Sequence, residues 1–535
     1  MDFKYDKENE KLIVQEAKPL EYEQLKIWLN RFVKNYKFTP AFKRGVWNGK
    51  IDFFNKGSIN MGLWKECFIG LNEIGAKFNI LNKEDFPINR KVTVESVENF
   101  CKEFFKNHKI KDKKIGEYKN FMPYDYQIET AYKILKNKFC LAEVATSGGK
   151  SLILSIVFFY ILKNINPEAK ILLIVPSLLL VNQFYDNIME YNLGFQDVEE
   201  EPQNKNPLEL RLEEIMSDKP RKYEGVKDAN IYIATYQSLS KVENWGDSFF
   251  SQFHTVAVDE SHQSKAKSLV KILEKTFSHA NYRFGVSGTF PKGFNAENLT
   301  IQSVLGPIVN SIKAKKLQEE GKISKVKIKQ ILLNHQDPEF EDRIKAVRKI
   351  RNQGARAYLL EGEYIRNSVK RMDFIMKLVK KCKSNTLMLF NIIEYGEKLR
   401  EELKKQFNEQ DNIEILYIDG NVPKKKRDEI KTLMELKDGV IRILVATYGT
   451  LSTGVSINNI HNIIFCESFK SEIRIIQSIG RGLRLHKDKD KAIIFDLVDC
   501  YVESGQSNTF YKHGIERRKM YKEHSYPYDN MKFVL

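Results

Sequence analysis

The stretch that decides the fold is Phe139-Cys-Leu-Ala-Glu-Val-Ala-Thr-Ser-Gly-Gly-Lys-Ser-Leu-Ile-Leu154. An apolar run over 139–144 predicts a buried strand. Leu152 onward predicts an apolar helix. Between them lies Ala145-Thr146-Ser147-Gly148-Gly149-Lys150-Ser151. A glycine-rich turn from a strand into a helix is the setting a phosphate-binding loop requires. Gly148 and Gly149 let backbone N–H groups close around phosphate oxygens. Lys150 reaches the β- and γ-phosphates, Ser151 ligates Mg²⁺, and the helix N-terminus adds partial positive charge. No glycine stands at the first position of the general pattern, but its Gly-Lys-Ser end is intact.

Outward from this loop, the chain has 535 residues, enough for two or more domains. It is 42% hydrophobic and 29% charged, which excludes a disordered chain. No uncharged apolar stretch is long enough to span a bilayer; 152–162 falls short. The start, Met1-Asp-Phe-Lys-Tyr-Asp-Lys7, carries no apolar signal region, so the cytoplasm is expected. The six cysteines (Cys67, Cys101, Cys140, Cys382, Cys466, Cys500) are far apart and form no Cys-x-x-Cys pair. They read as reduced core residues rather than a zinc ribbon or a disulfide framework. Lys plus Arg is 87 against 70 for Asp plus Glu, a formal charge of +17. That balance favours nucleic acid as partner, ahead of an acidic membrane.

From about residue 120, short apolar runs alternate with helix-length amphipathic segments. The runs are 139–144, 171–175, 231–234, 255–258 and 284–287, then 326–333, 386–390, 413–418, 441–446, 463–466 and 492–495. Strands alternating with helices imply parallel sheets covered on both faces. The expected fold class is α/β: two tandem P-loop domains, 121–312 and 326–510, joined by a linker at 313–325. A small α+β unit precedes them at 1–95, with a helix near 22–35 and a charged linker at 96–120. A helical tail follows at 511–535. Residues 195–229 read as a loop or insertion.

Two further motifs carry chemistry. Val256-Ala-Val-Asp-Glu-Ser-His262 ends a strand in two adjacent carboxylates. Side chains alternate along a strand, so Asp259 and Glu260 cannot do the same job. In nucleotide hydrolases the first holds Mg²⁺ and the second polarises the attacking water. The bland reading of such a pair is a helix N-cap. Gln477-Ser-Ile-Gly-Arg-Gly-Leu-Arg484 places Arg481 and Arg484 on one helix face. They suit arginine fingers reaching a γ-phosphate across a cleft. Surface arginines are the alternative.

Together the three segments resemble superfamily 2 helicases of the Asp-Glu-x-His type. Smaller motifs follow in the family's order: Tyr126-Gln127, Val175-Pro-Ser-Leu-Leu-Leu-Val-Asn-Gln183, Ala234-Thr-Tyr-Gln-Ser238, Gly285-Val-Ser-Gly-Thr289, Phe390-Asn391, Asp419-Gly420 and Ala446-Thr-Tyr-Gly-Thr-Leu-Ser-Thr-Gly-Val-Ser456. Tyr36-Lys-Phe-Thr-Pro-Ala-Phe-Lys-Arg-Gly-Val-Trp-Asn-Gly-Lys50 and His513-Gly-Ile-Glu-Arg-Arg518 narrow the likeness to the recombination helicases of T-even-type phages. The resemblance implies two RecA-like domains, ATP and Mg²⁺. It also implies ATP-driven unwinding or branch migration of forked DNA, four-way junctions and R-loops with their RNA–DNA hybrids, in recombination, replication and repair. It places Tyr126, Gln127 and Gly454 at the nucleotide and makes His262 and Gln477 part of the catalytic group. It assigns DNA contacts to Pro176, Ser177, Gln183, Thr235, Gln237, Asn391, Gly420, Thr447 and Thr450. A monomer in the host cytoplasm is expected.

His262 has two readings: a coupler of the nucleotide site to the strand-binding motifs, or a polar residue opening the next helix. In the N-terminal segment, Lys43, Arg44 and Lys50 suit phosphate contacts. The interleaved Tyr36, Phe38, Phe42 and Trp47 read first as the core of a small domain, and second as a base-stacking surface. Rival functions are a duplex translocase that does not separate strands, and a non-hydrolysing nucleic-acid-binding protein on the same fold.

Overall fold

The alternating runs near the N-terminus pair as strands. In the computed structural model these are β1 (Asp2–Asp6), β2 (Lys11–Glu16), β3 (Asn30–Phe32), β4 (Lys50–Asp52), β5 (Ser58–Asn60) and β6 (Asn79–Ile80). Four of them form a sheet in the order β5-β2-β1-β6, while β3 and β4 make a separate antiparallel ribbon. The helix expected over 22–35 runs from Pro19 to Trp28 instead. It stops because Asn30–Phe32 is drawn into register with Lys50–Asp52. The structure describes residues 1–111, 118–194, 207–215, 226–241, 244–277, 279–291, 293–350, 353–407, 412–436, 438–452, 457–468, 475, 478–480, 491–501 and 508–535.

The stretch 96–120, read as a charged linker, holds a helix, Val94–Phe104, opened by a Thr93–Ser96 capping box. Its Val97, Phe100, Cys101 and Phe104 are buried in the same core as the following domain. The lysine-rich residues just after this helix hid its apolar stripe. The hairpin of β7 (Lys109–Lys111) and β8 (Tyr118–Asn120) follows.

Next come β9 (Phe139–Val144), β10 (Ile171–Val175), β11 (Leu212–Ile215), β12 (Ile231–Thr235), β13 (Thr255–Asp259), β14 (Tyr282–Ser287) and β15 (Ile308–Ile312). They form one parallel sheet in the order β11-β12-β10-β13-β14-β9-β15. The central strands are buried along their whole length, as a sheet covered on both faces demands.

The second sheet contains β16 (Lys325–Asn334), β17 (Thr386–Phe390), β18 (Ile413–Ile418), β19 (Ile441–Thr447), β20 (Asn462–Phe465), β21 (Lys491–Cys500) and β22 (Tyr528–Val534). Its order is β18-β19-β17-β20-β21-β16-β22, again all parallel. Counted from its own first strand, each sheet runs 3-4-2-5-6-1-7. The two domains therefore repeat one topology that no sequence period betrays.

Three elements differ from the sequence reading for this reason. Part of the 195–229 insertion is the third strand of the fold, β11. Residues 511–535 are not only a helical tail: the helix Thr509–Glu523 leads into β22, the seventh strand of the second sheet. The linker at 313–325 carries the short helix Ala314–Glu319. By contacts the chain divides into two units, nearly all of residues 1–312 and residues 313–535. No described helix is long and apolar enough to cross a membrane.

Candidate functional site

In a parallel sheet, the strand C-termini and the following helix N-termini gather at one edge, the usual place for ligands. In the first unit this edge collects the phosphate loop and the carboxylate pair. Ala145 closes β9. Ser147 and Gly149 take positive φ angles of 67° and 77°, and Lys150 opens the helix Lys150–Tyr160. The loop is thus a tight left-handed turn feeding a helix N-terminus.

Gln127 lies against this loop. A Cβ on Gly149 would sit 2.2 Å from the Gln127 Nε2, so the amide packs where only glycine leaves room. Gln127 is held there because its Oε1 accepts the Tyr124 N–H at 2.9 Å, at the start of the helix Asp125–Asn137. Tyr126, beside it, is buried and stacks on Tyr124 with centroids 5.8 Å apart.

Asp259 ends β13, and Glu260 turns the chain with φ 49°. The turn sends the two carboxylates different ways. Lys150 Nζ donates to Glu260 Oε1 at 2.9 Å. Ser287 Oγ, at the end of β14, donates to Glu260 Oε2 at 3.2 Å, and His262 Nδ1 lies 2.9 Å from the same hydroxyl. His262 sits in the turn Ser261–Lys265 and is buried with Ser287. A continuous chain Lys150–Glu260–Ser287–His262 results. Ser287 is the member that the sequence motif contained without singling out. Burial opposes ionisation of Glu260, but the Lys150 ammonium and the hydrogen bond with His262 outweigh it and hold its pKa well below the carboxylate range.

Asp259 differs. Burial pushes the pKa of its carboxyl up, and the Glu260 charge adds to the shift. Its Oδ1 is buried with no hydrogen-bond partner among the described residues. A buried, unpartnered carboxylate oxygen next to a phosphate loop is the environment a hard divalent cation fits. Ser151, the other candidate ligand, has its Oγ 3.4 Å from the Tyr191 hydroxyl.

Two family models match the chain. The one described as "Type III restriction enzyme, res subunit" covers residues 120–292, and the one described as "Helicase conserved C-terminal domain" covers 370–486. The chain is 28% identical over 522 residues to the ATP-dependent DNA helicase uvsW of Enterobacteria phage T4, spanning 95% of this chain and 94% of that protein. The crystal structure of T4 UvsW aligns over the whole of both chains at 23% identity with a TM-score of 0.47. The ATP-dependent Type ISP restriction-modification enzyme LlaBIII, bound to DNA, shares the fold: its TM-score is 0.56 at 13% identity, over 78% of this chain and 32% of that one.

The chain belongs to the superfamily 2 helicases. It is an ATP hydrolase with tandem helicase domains.

Other residues singled out in this helicase lie along the same edge of the first sheet. Pro176 and Ser177 follow β10, and Gln183 sits on the helix Leu178–Leu193. Gln237 is exposed, and its Nε2 donates to the Pro176 carbonyl at 3.4 Å. Thr235 ends β12; its Oγ1 lies 2.8 Å from Ser238 Oγ and accepts the Ser238 N–H at 3.2 Å.

The second unit repeats that device after its own fourth strand. Thr447 Oγ1 lies 2.6 Å from Thr450 Oγ1 and accepts the Thr450 N–H at 3.1 Å. Asn391 follows β17, and its N–H donates to Glu467 Oε2 at 2.6 Å, as does that of Ile392 at 3.0 Å. Glu467 is buried and was missed by sequence reasoning. The signal was there: it follows a buried strand, β20, much as Asp259 and Glu260 close β13, the fifth strand of each sheet. The Gly420 carbonyl accepts from Arg427 Nη2 at 2.9 Å. Gly454, Gln477, Arg481 and Arg484 lie outside the described residues.

Lys43 and Arg44 are exposed, in and just after the short helix Pro40–Lys43. The Lys50 ammonium sits over the Phe32 ring, 4.7 Å from its centroid.

Proposed function

We propose that this helicase is driven by ATP along DNA and unwinds or branch-migrates forked DNA, four-way junctions and R-loops in phage recombination, replication and repair. It acts as a monomer in the cytoplasm of the infected cell. The observation that carries the reading is the chain Lys150–Glu260–Ser287–His262 beside a loop covered by Gln127.

Lys150 is paired with Glu260. When ATP enters the loop, the β- and γ-phosphates compete for the ammonium. Lys150 then leaves Glu260 to its hydrogen bond with Ser287, free to polarise the attacking water. Asp259 and Ser151 would hold Mg²⁺, which neutralises charge developing on the phosphates. Ser287 and His262 keep the Glu260 carboxylate oriented as Lys150 departs. Gln127, fixed through Tyr124 and lying on Gly149, suits recognition of the base. The residues that follow β10, β12, β17 and β19 offer hydroxyl and backbone N–H groups, which suit contacts to a nucleic-acid backbone. Lys43, Arg44 and Lys50 add phosphate contacts from the N-terminal domain. The 28% likeness to a phage DNA helicase supports DNA as the track.

The restriction-subunit description of the model matching 120–292 keeps duplex translocation without strand separation as a second reading. ATP hydrolysis and strand displacement, measured against single-stranded, duplex, forked and four-way DNA, decide between them. Displacement at forks with ATP supports unwinding. ATP turnover on duplex with no displacement supports translocation alone.

A further inference from the structure

Between β3 and β4 the chain makes an excursion, residues 31–50, with six cations and no carboxylate: Arg31, Lys34, Lys37, Lys43, Arg44 and Lys50. Arg31 is engaged, packed 4.1 Å over the Phe294 ring and hydrogen-bonded to backbone carbonyls. None of the other five forms an ion pair among the described residues. Lys34, Lys37, Lys43 and Arg44 are solvent-exposed.

Most aromatics here are spent on holding the excursion together. Phe32 stacks on Tyr36 at 4.6 Å, and Tyr36 meets Phe42 edge-on at 4.8 Å. Gly49, at φ 82°, lets the Tyr36 ring lie against its backbone. Trp47 Nε1 donates to the Lys50 carbonyl at 2.8 Å. Thr39 caps the helix Pro40–Lys43 and donates to the Tyr36 carbonyl.

Phe38 takes no part in this packing. It is 76% exposed, and Val46 is 73% exposed. Yet the Phe38 backbone is tied down, its N–H bonded to the Asn35 carbonyl at 3.0 Å. An outward aromatic ring on a tied-down backbone, within a cationic surface, has an apolar face to offer and phosphates to attract. Water hydrates the cations but not the ring, whereas DNA with an unpaired base meets both and releases counterions as it does so.

We propose that Phe38 is a base-stacking pin: it packs on a base unpaired where a DNA duplex forks, while Lys34, Lys37, Lys43, Arg44 and Lys50 hold the flanking phosphates. The proposal rests on the DNA-helicase reading above and adds the contact that tells a fork from a plain strand.

The test uses the full chain and a forked DNA carrying 2-aminopurine at the branch point. Wild type should change the 2-aminopurine fluorescence on binding. Phe38→Ala should abolish that change and weaken fork binding about tenfold, the size of one lost base–aromatic stack. Binding to a single strand of equal length should fall much less. Phe38→Trp should restore both fork readouts. At such an exposed position, the unfolding midpoint of Phe38→Ala should match wild type, which separates the effect from misfolding. If Phe38→Ala reproduces the wild-type signal and fork affinity, the pin is overturned while the helicase reading stands. If wild type itself binds no fork, that reading falls and the pin with it.

Discussion

Arg283 and Glu10 join the N-terminal domain to the first helicase sheet through a buried, two-point ion pair. Arg283 Nη1 donates to Glu10 Oε1 at 3.0 Å and Nη2 donates to Oε2. Glu10 sits in the turn between β1 and β2, while Arg283 lies on β14, the strand that ends in Ser287. Arg283 also donates to the Val304 carbonyl and is sandwiched by the Phe139 and Phe277 rings. The N-terminal domain is therefore built into the first unit, and the core running through Phe139 and Leu299 says the same.

Removing one partner of such a pair leaves the other charge buried alone. Glu10→Ala should destabilise the first unit by about 3–5 kcal/mol, read as an earlier unfolding transition in denaturant. Replacing both residues with apolar ones should cost less than either single change. A Glu10→Ala protein as stable as wild type would show that the pair carries no weight.

In the glycine-rich loop, Lys150→Ala removes the cation proposed to meet the β- and γ-phosphates. ATP turnover should fall at least about 10²-fold. DNA binding should largely survive, since the candidate strand contacts lie on other loops; electrophoretic mobility of a DNA complex checks this.

Much of this site was legible. The glycine-rich loop and the paired carboxylates announce themselves by residue type and by position after apolar strands. The central strands were equally plain, because burial on both faces demands unbroken apolar runs. The edge strands β11, β15 and β22 were not, since Glu213, Asn310 and Lys532 interrupt their apolar runs. Neither was the packing of Gln127 on Gly149, a tertiary contact, whereas Glu467 was legible from its place after β20 and only its partners, the Asn391 and Ile392 N–H groups, needed the fold. The expectation that the N-terminal aromatics form the core of the small domain is not met: Tyr36, Phe42 and Trp47 are only half-buried and lie outside the buried cluster around Phe3 and Leu25, and Phe38 is exposed, because short-range spacing does not say which aromatics the sheet of β1 and β2 will cover.

Phosphate contacts show themselves through salt. Replacing Lys43, Arg44 and Lys50 together should lower the slope of log affinity against log salt by up to about 3, near one unit per lost contact. The change should be larger on forked or duplex DNA than on single strands. Fluorescence anisotropy over a salt series measures it.

A buried network in the second unit sets a pH dependence. Arg371 holds Asp499 at 2.7 and 3.1 Å, and His335 Nε2 is 3.0 Å from the same carboxylate. Burial opposes ionisation of Asp499, but Arg371 and His335 outweigh it and lower its pKa from 3.8 to about 2. A depressed carboxylate stabilises the fold above its unfolded pKa and loses that contribution as pH falls through the folded one. The stability advantage of wild type over Asp499→Asn should be full above about pH 4 and shrink toward pH 2, as urea unfolding at stepped pH will report.

The most direct test of the account is steady-state ATP hydrolysis by Glu260→Gln, with and without forked DNA, beside nucleotide binding by the same protein. Glutamine keeps the shape of the side chain but cannot take a proton from water. The account predicts DNA-stimulated hydrolysis in wild type, and in the variant retained ATP binding with turnover down by at least about 10²-fold. Wild-type turnover in Glu260→Gln, or lost ATP binding instead of lost turnover, would contradict it.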